Sequence, residues 1–153
     1  MGNLQLTSSA FEDGGEIPRE CGYKNGNKRP PLTVSGIPEG TKSLALIMDD
    51  PDAMGAVGKV WVHWVIWNML ECDGPLSTGR ICTLGTNSFG ELGYGGPAPP
   101  DKRHTYVFKL YALDIETLHK NTRRQSQMKK ADVELMMEDL IIEQTQLTGT
   151  YAP

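Results

Sequence analysis

The chain of 153 residues has no apolar run approaching the ~18 residues that a helix needs to cross a bilayer, which argues against an integral membrane segment. Its start, MGNLQLTSSAF, has neither the charged head nor the apolar centre of a secretory signal. Position 6 is Leu6 rather than serine or threonine, so the myristoylation pattern is missing too. Cysteine is scarce: Cys21, Cys72 and Cys82 are odd in number and form no CxxC, which disfavours a disulfide framework or a thiolate zinc site. A Cys72–Cys82 bridge stays open. These absences lead to the expectation of a cytoplasmic protein with reduced thiols. Excess positive charge is also lacking. The formal net charge is −4, so a general nucleic-acid role is disfavoured. Internal repeats and low-complexity segments are absent.

Glycine and proline, by contrast, are plentiful, at 17 and 10 residues, which favours a loop-rich β architecture over a bundle. The length suits one domain over 1–153. The densest stretch is Gly93 to Asp114. Its first half, GYGGPAPP, cannot build a helix or a central strand, because glycine frees the backbone and proline removes donors. Its second half, HTYVFKLYAL, reads as a buried strand with His104, Tyr106 and Phe108 on one face. A stiff loop thus delivers a histidine and a tyrosine to the mouth of a strand.

Upstream, Leu4–Ser9 carries a weak edge-strand alternation, and FEDGGEI reads as a turn with a short strand. Asn25–Pro31 and IPEG are loop and turn. Ser43–Met48 predicts a buried strand that runs into Asp49, Asp50, Pro51 and Asp52; acids there need partners or solvent. Asp52 suits a turn beside Pro51 as well as it suits a ligand. Ala53–Gly58 is read as a flexible connection. Val60–Met69 predicts a central strand with Trp61, His63, Val65 and Trp67 on one face, and with Trp64 and Trp67 in the core. Ile81–Leu84 is a further short strand. IETLHKN suits two turns of helix. Lys120–Lys130 holds five basic residues and no acid, read as a solvated face with a docking patch as the alternative. His119 is read as a surface residue. Ala131–Leu147 predicts the main α-helix from Val133, Leu135, Met136, Leu140, Ile141 and Gln144, with Asp132 as N-cap and Gly149 as terminator. Tyr151 is expected to pack the C-terminus.

If the strands are neighbours, Asp50, His63, His104 and Tyr106 converge beside the Gly/Pro loop. Imidazoles, a phenol and loop amides are hydrogen-bond donors, and a carboxylate behind an imidazole favours the charged ring. That set predicts a small anion pocket with Trp61 as an aromatic wall. Histidine and carboxylate also ligate zinc, but the spacings are not those of a zinc helix. Ser88 lies near the loop without a GxSxG elbow, and neither a nucleophile nor a cofactor motif is evident, so no enzyme and no cofactor are expected.

Four ordered motifs, DDPDA (49–53), WVHW (61–64), GYGGPAPP (93–100) and HTYVFKLYALD (104–114), resemble the phosphatidylethanolamine-binding protein family, in its prokaryotic Raf-kinase-inhibitor-like branch. The resemblance covers nearly the whole chain. It implies a mostly β fold: a β-sandwich with a C-terminal α-helix and short flanking helices. It also implies an anion pocket of Asp50, Trp61, His63, Tyr94, Gly96, Pro97, Ala98, Pro99, His104 and Tyr106 that binds phosphate or a phosphorylated head group such as phosphoethanolamine. Some members of the family regulate kinases or inhibit serine proteases by protein contact, which is the alternative reading; a hydrolase is a third. A homodimer is plausible for the branch. Met54 stands where the family usually has proline, Thr105 where arginine is common, and the Asp101–Arg103 connection is short; the changes near Met54 and Asp101–Arg103 fall at the pocket rim.

Overall fold

The computed structural model describes residues 3–76, 82–118 and 128–153. The protein is mostly β, built from two open sheets. The larger has six strands in the order β2-β9-β8-β4-β5-β7: β2 (Gly15–Glu16), β4 (Ser43–Asp50), β5 (Trp61–Met69), β7 (Thr83–Leu84), β8 (His104–Leu113) and β9 (Ile141–Tyr151). The smaller has three, β1 (Gln5–Thr7), β3 (Thr33–Ser35) and β6 (Gly74–Pro75) in the order β1-β3-β6. Two short helices, α1 (Ala53–Val57) and α2 (Lys130–Met137), and a single 3-10 turn at Arg19–Cys21 complete the regular structure among the described residues.

All eight residues of β4 are buried, because both faces of the large sheet are covered. Leu44, Leu46 and Met48 meet Leu6, Leu32 and Val34 in the core between the sheets. Ala45 and Ile47 meet Val133 and Met137 of α2, together with Leu118 and Met128, in a second core on the other face. The expected buried strands β4, β5 and β8 are therefore the hydrogen-bonded centre of the fold.

β5 departs from simple alternation. Met48 faces Trp64 and Asp49 faces Val62, so His63 is an extra residue in its strand, a β-bulge. The bulge flips the parity of everything after it. Val65 and Trp67 consequently pack in the helix-side core, while Trp64 and Ile66 pack between the sheets. The expectation that Trp61, His63, Val65 and Trp67 share one face is thus corrected, although both Trp64 and Trp67 are core as expected. A second irregularity lies between the Leu44–Met69 and Leu46–Ile66 pairs, where Asn68 has a φ of 58°.

The long helix is the other correction. α2 ends at Met137, the chain turns, and Ile141–Tyr151 runs as β9 antiparallel to the whole of β8. The free edge of β8 needs a partner ladder, and Thr145, Thr148 and Thr150 are β-branched residues that suit one. Gly149 is no helix terminator; it sits in β9, where a Cβ would come within 2.6 Å of Ile17 and 2.8 Å of Phe11. Asp132 is the third helical residue rather than the N-cap, and its carboxylate accepts the Lys129 amide at 2.9 Å. Ala53–Gly58, expected as a flexible connection, forms α1 closed by Gly58 in the left-handed region at φ 77°. Ile115–Leu118 is irregular rather than helical; the rest of IETLHKN, including His119, lies outside the described residues, as do Ile81 and most of the basic run. Cys72 carries a free thiol, so no bridge joins it to Cys82. Tyr151 packs the C-terminal end as expected: its hydroxyl donates to the Arg19 carbonyl at 2.8 Å.

Candidate functional site

A cavity of about 140 Å³ opens at one end of the large sheet. At ~30 Å³ per water it has room for about four or five waters. β4, β5 and β8 supply its polar floor through Asp50, His63, His104 and Tyr106. α1, the first residue of β5 and two loops supply an apolar wall of Ala53, Ala56, Val57, Trp61, Phe89, Ala98 and Pro100. Period two puts Asp50 on the same face of β4 as Met48, and puts His104 and Tyr106 on the same face of β8 as Phe108, so the floor continues the inter-sheet core.

Of the residues expected from sequence, Asp50, Trp61, His63, Ala98, His104 and Tyr106 line the cavity. Tyr94, Gly96, Pro97 and Pro99 do not. Tyr94 turns back to donate to the Cys21 carbonyl at 2.8 Å and packs edge-on to Trp64. The Gly96 amide donates to Asn27 Oδ1 at 2.7 Å, and the Pro97 carbonyl accepts the Tyr23 amide at 2.9 Å. These contacts hold the loop's shape. The expected amide nest is therefore not free: the Gly93 and Gly95 amides donate to the carbonyls of Gly85 and His63. Asp52 is a turn residue, its amide donating to Asp50 Oδ1 at 3.0 Å and its carboxylate accepting the Thr105 amide at 2.8 Å. Ser88 Oγ accepts the Val62 amide at 2.8 Å and does not line the cavity. The wall residues Ala53, Ala56, Val57, Phe89 and Pro100 were not legible in the sequence, since apolar side chains carry no chemical signature. Phe89 could have been found only through its aromatic neighbours; it stacks on Tyr23 and meets Trp61 and His63 edge-on.

The two histidines differ. His63 is 2% exposed, and its Nδ1–H donates to the Gly95 carbonyl at 2.6 Å. Burial pulls its pKa down to about 4, so the ring is neutral at pH 7 and Nε2 carries a lone pair. His63 is thus an acceptor toward a guest, not the donor expected. His104 has both nitrogens engaged: Nδ1 with Asp50 Oδ2 at 2.6 Å and Nε2 with Asp101 Oδ1 at 2.7 Å. Burial alone would lower its pKa, but the bonds to Asp50 and Asp101 outweigh it and hold that pKa above its ordinary range. Burial holds the Asp50 carboxyl above its usual range, with the His104 bond opposing. Tyr106 is completely buried, and its hydroxyl is the one buried side-chain polar atom without a partner among the described residues. Burial, then the nearby Asp50 charge, push that phenol upward, so it stays a donor at all working pH.

A wider groove of about 700 Å³, bordered by Lys42, Asn68, Leu70 and Glu116, contains no buried polar side chain among the described residues.

The model of the phosphatidylethanolamine-binding protein family matches residues 7–152. The chain belongs to that family. Among its relatives, a UPF0098 protein of Chlamydia muridarum is 38% identical over 97% of this chain and 98% of its own. The crystal structure of the family homologue CT736 from Chlamydia trachomatis superposes with a TM-score of 0.87 at 34% identity, covering 99% of this chain and 98% of that one. That of Escherichia coli YbcL gives 0.85 at 33% identity, covering 98% of each chain. A carboxypeptidase Y inhibitor, crystallised with its cognate proteinase, shares the fold at a TM-score of 0.56 and 17% identity, covering 95% of this chain and 81% of its own. Among the described residues, no helix is long and apolar enough to cross a membrane.

Proposed function

We propose that this family member is a binding protein whose cavity takes one phosphate group, free or as the monoester of a small head group such as phosphoethanolamine, and that it works by binding rather than by catalysis. The observation that carries the reading is the orphan Tyr106 hydroxyl. A buried hydroxyl left without a partner costs about 1–3 kcal/mol, so this one must take its bond from whatever fills the cavity, water or a guest. A guest oxygen in the cavity relieves that cost.

The complementary groups narrow the guest. Tyr106 donates, and His63 Nε2 accepts. A phosphate that keeps one P–OH satisfies both at once: a bare P–O oxygen takes the phenol proton, and the P–OH donates to the imidazole. The apolar wall from α1, Trp61 and Phe89 suits the carbon chain of an ester. Lys59, whose ammonium lies 5.3 Å from the Trp61 ring centroid, adds positive charge at the rim. Calorimetric titration with inorganic phosphate and with phosphoethanolamine, on the wild type and on Tyr106→Phe, tests the reading. Binding by the wild type that weakens about tenfold in Tyr106→Phe supports it. Equal binding by both proteins, or none by either, contradicts it.

A further inference from the structure

Among the residues that line the cavity His104 is the one that can supply a cationic donor, yet its Nε2 already holds a carboxylate. That carboxylate comes from Asp101, which follows the stiff Pro97–Pro100 segment and stands three residues before His104. The His104 side chain is fully buried, whereas that of Asp101 is 44% exposed. One partner of this bond is locked in the fold and the other reaches water. A carboxylate oxygen and a phosphate oxygen make the same charge-assisted bond to an imidazolium N–H.

We propose that Asp101 is a built-in competitor that occupies the anion position on His104, and so determines which anions the pocket admits and how tightly. The proposal rests on the phosphate reading above. Asp50 from β4 cannot leave, because it is 3% exposed and also takes the Asp52 amide. Asp101, 44% exposed and otherwise held only by the backbone amides beside it, can swing out to solvent. The carboxylates facing the ring are Asp50 from β4 and Asp101 from the loop, Asp52 being turned to the Thr105 amide; His63 on β5 and Tyr106 on β8 are neutral. With Asp101 in place, the Asp50–His104–Asp101 set carries one net negative charge and repels a second anion. With Asp101 released, the remaining Asp50–His104 pair is neutral, and Nε2–H is free to donate. Guest binding and Asp101 release are therefore one exchange.

The test compares wild type, Asp101→Ala and Asp101→Asn in calorimetric titrations with inorganic phosphate and phosphoethanolamine, alongside ring-nitrogen NMR of His104. Asp101→Ala should bind both probes about tenfold more tightly, and Asp101→Asn, which keeps an acceptor but no charge, by a smaller factor. The His104 pKa should fall in both variants, since each loses a flanking negative charge. Unchanged melting and an intact His104–Asp50 signal would confirm that the fold is not the cause. Equal phosphate affinity in wild type and Asp101→Ala overturns the proposal while leaving the phosphate reading intact. Phosphoethanolamine binding that weakens in Asp101→Ala would place Asp101 on the guest's ammonium and also overturn it. If no protein of the set binds phosphate, the reading of the pocket itself fails.

Discussion

Asp49 and Asp50 are consecutive, both at most 3% exposed, and they serve opposite faces of one sheet. Asp50 meets His104 in the cavity at 2.6 Å; Asp49 meets Lys130 at the start of α2 at 2.7 Å and Lys109 of β8 at 3.4 Å. The first pair belongs to the site and the second clamps the helix to the sheet. Asp49→Asn should lower stability by about 1–2 kcal/mol, the lysines being part-exposed and able to hydrate. It should leave phosphate affinity within about twofold. Asp50→Asn should lower the His104 pKa and change phosphate affinity by about tenfold or more. Urea melts paired with calorimetry on both variants check the contrast.

Tyr106→Phe removes a buried hydroxyl that has no partner. Without phosphate, the variant should be as stable as the wild type or more stable by about 1 kcal/mol. Saturating phosphate should then raise the melting temperature of the wild type more than that of the variant. Thermal melts with and without phosphate check this.

The histidines set opposing pH dependences. His63 has a folded pKa of about 4 against an ordinary 6.5, so the unfolded chain takes up its proton first. As pH falls from 6.5 to about 4, stability should be lost, by up to about 3 kcal/mol from this group. His104 is held above 6.5 by Asp50 and Asp101, so its contribution is full below pH 6.5 and is lost as pH rises through its folded value. The summed contribution of these two histidines should therefore peak near pH 6.5. His63→Gln, whose amide can still donate to Gly95, should lose the acid-side slope that urea melts at a series of pH values measure in the wild type.

Two glycines separate backbone packing from helix propensity. A Cβ on Gly96 would lie 2.0 Å from the Cys21 carbonyl oxygen and 2.9 Å from the Tyr23 amide nitrogen. Both are backbone atoms, so Gly96→Ala should cost at least about 2 kcal/mol and disturb the loop that carries Ala98 and Asp101. Gly55 in α1 meets nothing within 4 Å, so Gly55→Ala should stabilise by about 0.5 kcal/mol. Melting of the two variants gives the comparison.

Much of this was legible in the sequence, and the exceptions have physical causes. β4, β5 and β8 were readable because most of their residues are buried or half-buried and correspondingly apolar. The meeting of Asp50, His63, His104 and Tyr106 followed from strand ends falling beside one loop. β9 was not read, because Val133, Leu135, Met136, Leu140 and Ile141 fit a helical period that ends, in space, at Met137. Alternation in Thr145, Leu147, Gly149 and Tyr151 was the signal missed. The bulge at His63 has no local marker; it is imposed by pairing with β4. The roles of the two imidazoles depend on Gly95 and Asp101, partners that composition and spacing could not assign.

The most direct measurement is a long-range proton–nitrogen NMR spectrum of the three histidines during a phosphate titration at pH 7. The expected result is a saturable shift of the His63 Nε2 signal, from that of a bare lone pair toward a hydrogen-bonded nitrogen, accompanied by a change at His104 Nε2 as Asp101 leaves. Response from His119 alone, with His63 and His104 unmoved at saturating phosphate, would contradict it.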